Sequence, residues 1–221
     1  MKVLFLGNSF TYFNDLPKMV MDMAAKADFD LVTDSVTKGA AYLYQFANPN
    51  HELYQKWKPL YDGESWDYVI LQEQSANPML LPEDYIASVR QLRSLMRPGQ
   101  KILLYQTWAY KDATEKLATV KCSYEEMWTA LEAACQRAGA DMQLGIVPVG
   151  RYFAEVYKQH PEVELYCSDA FHPSPVGTYM AACLFLHRFS GQAPQTFSVP
   201  EDVPAEEGAI IRTIANSVTA I

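Results

Sequence analysis

Three side chains in this 221-residue chain have the types and spacing for acyl transfer. Asp169 and His172 stand three residues apart in "YCSDAFHPSPVGTYMA". An imidazole can take a proton near neutrality, and an aspartate that accepts its Nδ1–H fixes the ring and supports the charge it gains. Pro173 bars helix at His172, Ser174 is an N-cap residue and Pro175 suits a first helical turn, so the imidazole stands where a rigid helix begins. The third side chain is Ser9, in "LFLGNSFTYF" at the other end of the chain. A serine hydroxyl is too weakly acidic to react alone and needs such a base. Gly-Asn-Ser after a strand also reads as a plain turn. Paired with Asp169 and His172, Ser9 reads instead as a nucleophile.

The other histidines carry less. His187 lies late in a helical segment, where a cation suits the dipole, and His51 and His160 sit in polar surroundings expected at the surface. Glu73 would oppose an oxyanion if it stood charged beside one, and is read as structural, bonded to a neighbouring loop. Trp108, Tyr110, Tyr42 and Tyr44 flank the presumed rim, where aromatic faces either stack on sugar rings or simply pack.

These groups must be positioned by what lies between them. Short apolar runs alternate with amphipathic segments along the whole chain. Strands are expected at 2–7, 29–37, 67–72, 101–108 and 142–150. Helices are expected at 16–27 behind Asn14 or Asp15, at 82–96, at 123–139, at 175–191 and near 205–219. The third of these carries a Ser123/Glu126 capping box and stops at Gly139. Segments 40–65 and 109–121 read as excursions with short helices. The alternation predicts a three-layer α/β/α sandwich around a parallel sheet of about five strands, and the lack of a linker predicts one domain over 1–221. In such sheets ligands collect beyond the carboxyl ends of the strands. The residues leaving those ends are Gly7-Asn8-Ser9, Thr37 to Ala40, Gln72 to Asn77 and Gln106 to Trp108.

"FLGNSFT" and "SDAFHPS" together resemble the SGNH/GDSL hydrolase superfamily. The resemblance spans both ends of the chain and the order of its strands. It implies a flavodoxin-like fold, Ser9 as nucleophile, His172 as base and Asp169 as its orienter. It also implies an oxyanion hole built from the Ser9 N–H, a glycine N–H after the second strand and a side-chain amide after the third. Gly39 takes the glycine's place. Asn8 stands where the family usually has aspartate, and "LQEQSANP" replaces its G-x-N-D block, so Gln74, then Gln72, then Asn77 are the candidate amides.

Composition bounds the rest. A formal charge of -8 and a sequence pI near 5.0 argue against extended nucleic acid or an anionic membrane surface as partner. The four cysteines show no metal or C-x-x-C spacing and read as reduced thiols in a cytoplasmic protein. The amino-terminal apolar run is too short for a signal-peptide core, although a chain trimmed of its leader would read the same. No nucleotide-binding or metal motif appears, so no cofactor is expected. The expected activity is hydrolysis of a short acyl ester, an acetyl group on a carbohydrate. A lysophospholipase or thioesterase, or a non-catalytic module binding a glycan or small molecule, are the other readings. The sequence leaves the oligomeric state open.

Overall fold

A computed structural model describes residues 1–217. In chain order the elements are β1 (Lys2–Gly7), α1 (Ser9–Tyr12), α2 (Leu16–Lys26), β2 (Val32–Thr37), α3 (Leu43–Ala47), α4 (Glu52–Gly63), β3 (Tyr68–Leu71), α5 (Asn77–Leu80), α6 (Pro82–Ser94), β4 (Lys101–Tyr105), α7 (Glu115–Ala118), α8 (Tyr124–Met142), β5 (Gly145–Val147), α9 (Val149–Gln159), α10 (Pro175–Ser190) and α11 (Ala205–Asn216). The five strands form one parallel sheet in the order β2-β1-β3-β4-β5, the flavodoxin-like order.

Strand alternation explains the three layers. In β1, Val3 and Phe5 face one side, where they pack with α2, α9, α10 and α11, while Leu4 and Leu6 face the other, where they meet α3, α4, α6 and α8. Both faces are apolar, so the strand reads as a continuous hydrophobic run. Phe5 meets Phe185 of α10 edge-on at 5.3 Å between centroids, a geometry that contributes about 0.5–1.5 kcal/mol beyond buried area.

Three sequence expectations change. Helix α8 does not stop at Gly139 but runs to Met142 and turns through Gln143, with φ of 55°. Gly139 serves close packing instead, since a Cβ there would stand 3.0 Å from Ile146 Cδ1 and 3.2 Å from Leu144 O. Residue 142 of the expected fifth strand therefore belongs to α8, and β5 is only Gly145–Val147. Its last residues open α9, which buries Val149, Tyr152, Phe153 and Val156 at helical spacing. The last expected helix ends at Asn216, and positions 218–219 lie outside the described residues. Among the described residues no helix is long and apolar enough to cross a membrane.

Chain order switches direction between β1 and β3, with β2 on one side of β1 and β4 beyond β3. The crevice at the carboxyl ends of β1 and β3 is therefore the topological switch point, where open α/β sheets bind ligands.

Candidate active site

Backbone geometry at the end of β1 comes from side chains of other strands. Gly7 leaves room for Gln72, because a Cβ there would stand 2.6 Å from Gln72 Oε1 and 2.5 Å from Thr11 Oγ1. The Asn8 N–H donates to Gln72 Oε1 at 2.8 Å, and Asn8 Oδ1 caps α1 by accepting the Phe10 N–H at 3.1 Å. Asn8 Nδ2 donates to the Ala41 carbonyl at 2.9 Å and approaches the Glu73 carbonyl at 3.4 Å. A side chain here must both give and accept. Aspartate could only accept and would face two carbonyl oxygens, so asparagine suits this chain.

Ser9 is thereby placed in the first turn of α1, 8% exposed, and its hydroxyl has no hydrogen-bond partner among the described residues. Its backbone N–H is one that the helix cannot satisfy. Ser9, Gly39, Gln74 and His172 line one cleft of about 270 Å³, together with Asn8, Tyr12 and Phe171.

The opposite wall is the loop before α10. His172 Nδ1 lies 2.6 Å from Asp169 Oδ2, and Asp169 Oδ1 accepts the backbone N–H groups of His172 (3.0 Å) and Phe171 (3.2 Å). The aspartate accepts, so Nδ1 carries a proton, and in a neutral ring Nε2 is then the nitrogen with the lone pair. Partial burial of Asp169 pushes its carboxyl up, but the hydrogen bonds from His172 and Phe171 outweigh that and hold it below the usual aspartate range. Ala170 turns the loop in the left-handed region, φ 66°. Three outside contacts clamp it: Trp108 Nε1 to Phe171 O at 3.0 Å, Lys111 N to Ala170 O at 2.8 Å, and Asn14 Nδ2 to Pro173 O at 3.0 Å.

Aromatic rings enclose the imidazole. Phe13 stacks on it at 4.0 Å with parallel planes, Phe171 lies tilted at 3.9 Å, and Phe10 stands edge-on at 5.9 Å. Sequence reasoning gives neither Phe13 nor Asn14 a place at the site. The run of aromatics after Ser9 is the only signal, and it does not say which ring folds over the distant histidine. Of the aromatics expected at the rim, Trp108 and Tyr110 are 1% and 3% exposed. Trp108 is sandwiched between Phe10 and Phe153, and Tyr110 bonds Ser75 Oγ at 2.8 Å. Both are packing residues, whereas Tyr42 is half-buried and Tyr44 exposed. His51 caps α4, His160 meets Glu162 and His187 bonds Gln192 O, so none of these is tied into the cleft.

The three amide candidates separate clearly. Gln72 is fully buried and spent: its Oε1 accepts from Asn8 N and Thr11 Oγ1, and its Nε2 donates to Asn8 Oδ1 and the Glu73 carbonyl. It braces the turn that carries Ser9, and both of its amide protons are taken. Asn77 is buried, and its side chain turns to the Glu73 carboxyl, not to the cleft. Gln74 alone of the three lines the cleft. Its Oε1 accepts the N–H groups of Ala76 and Asn77, both at 3.1 Å, and its Nε2 donates to Ser75 Oγ at 3.1 Å, which leaves one N–H of the NH₂ end. Gly39 is exposed on the rim and its N–H makes no hydrogen bond among the described residues, while Tyr12 Oη lies over it, 3.3 Å from where a Cβ would be.

No family model matches the chain, and no curated protein matches it. Solved structures do. A protein from Slackia heliotrinireducens assigned as an SGNH hydrolase is 28% identical, with a TM-score of 0.74 over 85% of this chain and 97% of its own. A DUF4886 family protein from Bacteroides uniformis superposes at 0.84 over 98% and 93%, at 17% identity. An acetyl xylan esterase shares the fold at 0.60 over 84% and 98%, at 14% identity.

Proposed function

Because the chain belongs to the SGNH/GDSL hydrolase superfamily, we propose that it is a serine esterase that removes a short acyl group, acetyl, from a carbohydrate alcohol. The observation that carries this reading is the 2.6 Å His172–Asp169 pair facing the cleft that Ser9 also lines. Ser9 Oγ attacks the acyl carbonyl carbon while His172 Nε2 takes the hydroxyl proton. The imidazolium so formed is supported by Asp169 and by the faces of Phe13 and Phe171. The N–H groups of Ser9 and Gly39 and the Gln74 amide hold the oxyanion. Collapse of the tetrahedral species breaks the bond to the alcohol, which leaves with the proton from His172. Water, deprotonated by the same imidazole, then releases the acid and restores Ser9.

The short acyl group is supported by the cleft's size: about 270 Å³, shared by acyl and leaving groups, and bounded by Tyr12 and Phe171. The sugar alcohol is supported by Tyr12, an exposed aromatic ring that lines that cleft. The test is a series of p-nitrophenyl esters from acetate to laurate, with acetylated xylan and a lysophospholipid alongside. The reading expects kcat/KM to fall steadily beyond butyrate and acetate to be released from the polymer. A maximum at octanoate or longer would move the activity to the lysophospholipase or thioesterase class. No turnover on any ester, with glycan binding retained, would leave a binding module.

A further inference from the structure

The residue between the two glutamines is a carboxylic acid with no cation. Glu73 is 2% exposed. Its Oε1 accepts the Gln74 N–H at 2.6 Å and the Leu43 N–H at 3.2 Å, and the Asn77 side chain turns to the same carboxyl. Its Oε2 is buried and has no hydrogen-bond partner among the described residues. Its backbone carbonyl meets Nδ2 of Asn8 and Nε2 of Gln72. One residue thus touches the turn before Ser9, the segment after Gly39 and the loop of Gln74. These three segments carry the oxyanion donors of the proposed esterase, and a role for Glu73 rests on that reading.

We propose that Glu73 is a positioning residue for the oxyanion hole, its buried carboxyl tying the Gln74 loop to the segment that follows Gly39. Without that bridge the two donors sit on separate loops with no direct hydrogen bond between Gly39 and Gln74 among the described residues, and a transition state that needs both at once loses its fixed geometry.

Charge decides how the bridge works. Burial pushes this carboxyl up to about 7, against the lowering effect of the N–H groups of Gln74 and Leu43 and the Asn77 side chain. The titratable group facing it is Tyr85 of α6, whose hydroxyl meets Cys135 of α8 at 3.7 Å. From α5 it meets the uncharged amide of Asn77, while the amides of Asn8 and Gln72 hold the backbone carbonyl of Glu73. Below neutrality the carboxyl is uncharged and still accepts both N–H groups through Oε1. Above it, a negative charge sits against the backbone N–H of Gln74, in the loop that carries the proposed donor, where it raises the energy of the developing oxyanion.

The experiment measures kcat and KM on p-nitrophenyl acetate from pH 5.5 to 9 for wild type, Glu73→Gln, Glu73→Ala and Ser9→Ala. Glu73→Gln keeps the accepting oxygen and cannot ionise. It should stay within about threefold of wild type at pH 6 and lack the wild type's loss of kcat above neutrality. Glu73→Ala should lose about 10- to 100-fold in kcat with KM little changed. A pH profile of Glu73→Gln superimposable on wild type would overturn the proposal, and this arm stands even where Glu73→Ala fails to fold. If Ser9→Ala is inactive while both Glu73 variants behave as wild type, the esterase reading survives and the Glu73 proposal falls. If Ser9→Ala turns over normally, both fall.

Discussion

The loop that carries His172, between α9 and α10, and the loop that carries Gln74, after β3, line one cleft, but they are held by different means. The His172 loop holds itself. Asp169 grips the ring and two backbone N–H groups within a span of three residues, and the aspartate remains 40% exposed, so water tolerates its charge. The Gln74 loop is fixed by distant partners. Asn8 holds the backbone carbonyl of Glu73, and Leu43 and Asn77 hold its carboxyl, which is almost fully buried and has no counter-ion among the described residues. The first arrangement serves a group that must gain a positive charge. In the proposed reaction the second serves donors that must meet a negative one, and around the Glu73 carboxyl it is assembled from amides that carry none. A site that moves a proton and stabilises an oxyanion thus separates its charged and neutral supports onto two loops.

The contrast is tested hardest at the proton carrier. His172→Ala should lower kcat by about 10⁴- to 10⁶-fold with the fold retained by circular dichroism. Asp169→Asn should cost less, roughly 10²- to 10⁴-fold, because the ring keeps its place between Phe13 and Phe171 even when its tautomer is wrong. Equal losses from the two would mean that the aspartate does more than orient.

On the neutral side, Gln74→Ala should reduce kcat by about 10²- to 10³-fold, and Gln74→Glu should reduce it further, since a carboxylate of the same shape repels the oxyanion. Gln72→Ala should be read by melting temperature instead, because its bonds go to Asn8 and Thr11. A catalytic loss at Gln72 without a drop in stability would return the oxyanion role to that residue.

Two smaller effects bear on the supports themselves. Asn8→Asp should destabilise by about 1–3 kcal/mol in urea unfolding, from a carboxylate facing the carbonyls of Ala41 and Glu73. Unchanged stability would show that the turn relaxes around the charge. Phe13→Leu should cost only about two- to fivefold in kcat, the loss of roughly 0.5–1 kcal/mol of aromatic support for the imidazolium. An effect on KM alone would instead make Phe13 part of the substrate surface.

The same division decides what can be read from the chain. Apolar strands, the Ser123/Glu126 cap and the Ser174-Pro175 start of α10 are local signals, and the helices and strands built on them form near where the pattern puts them. The D-x-x-H spacing is local too, and the structure brings Asp169 onto His172. Gly139 misleads because a helix stop and a close approach to β5 both call for glycine. Helix α9 escapes notice because Val147-Pro148-Val149-Gly150 looks like the end of a strand, while its apolar face shows only four residues further on. The sorting of Gln74, Gln72 and Asn77 is beyond sequence reasoning, since all three are amides in one loop. Gln72 finds its partners in Asn8 and Thr11 beyond β1, Asn77 in Glu73, and Gln74 within the loop itself.

Activation of Ser9 by His172 underlies every step of the proposed reaction, and covalent labelling probes it without a choice of substrate. The protein is incubated with a fluorophosphonate, and intact mass and peptide mapping then locate the adduct. One stoichiometric phosphonyl group is expected on Ser9, absent in Ser9→Ala and formed at least about 10³-fold more slowly in His172→Ala. Label on another residue, or equal labelling of Ser9 with and without the imidazole, would contradict that activation.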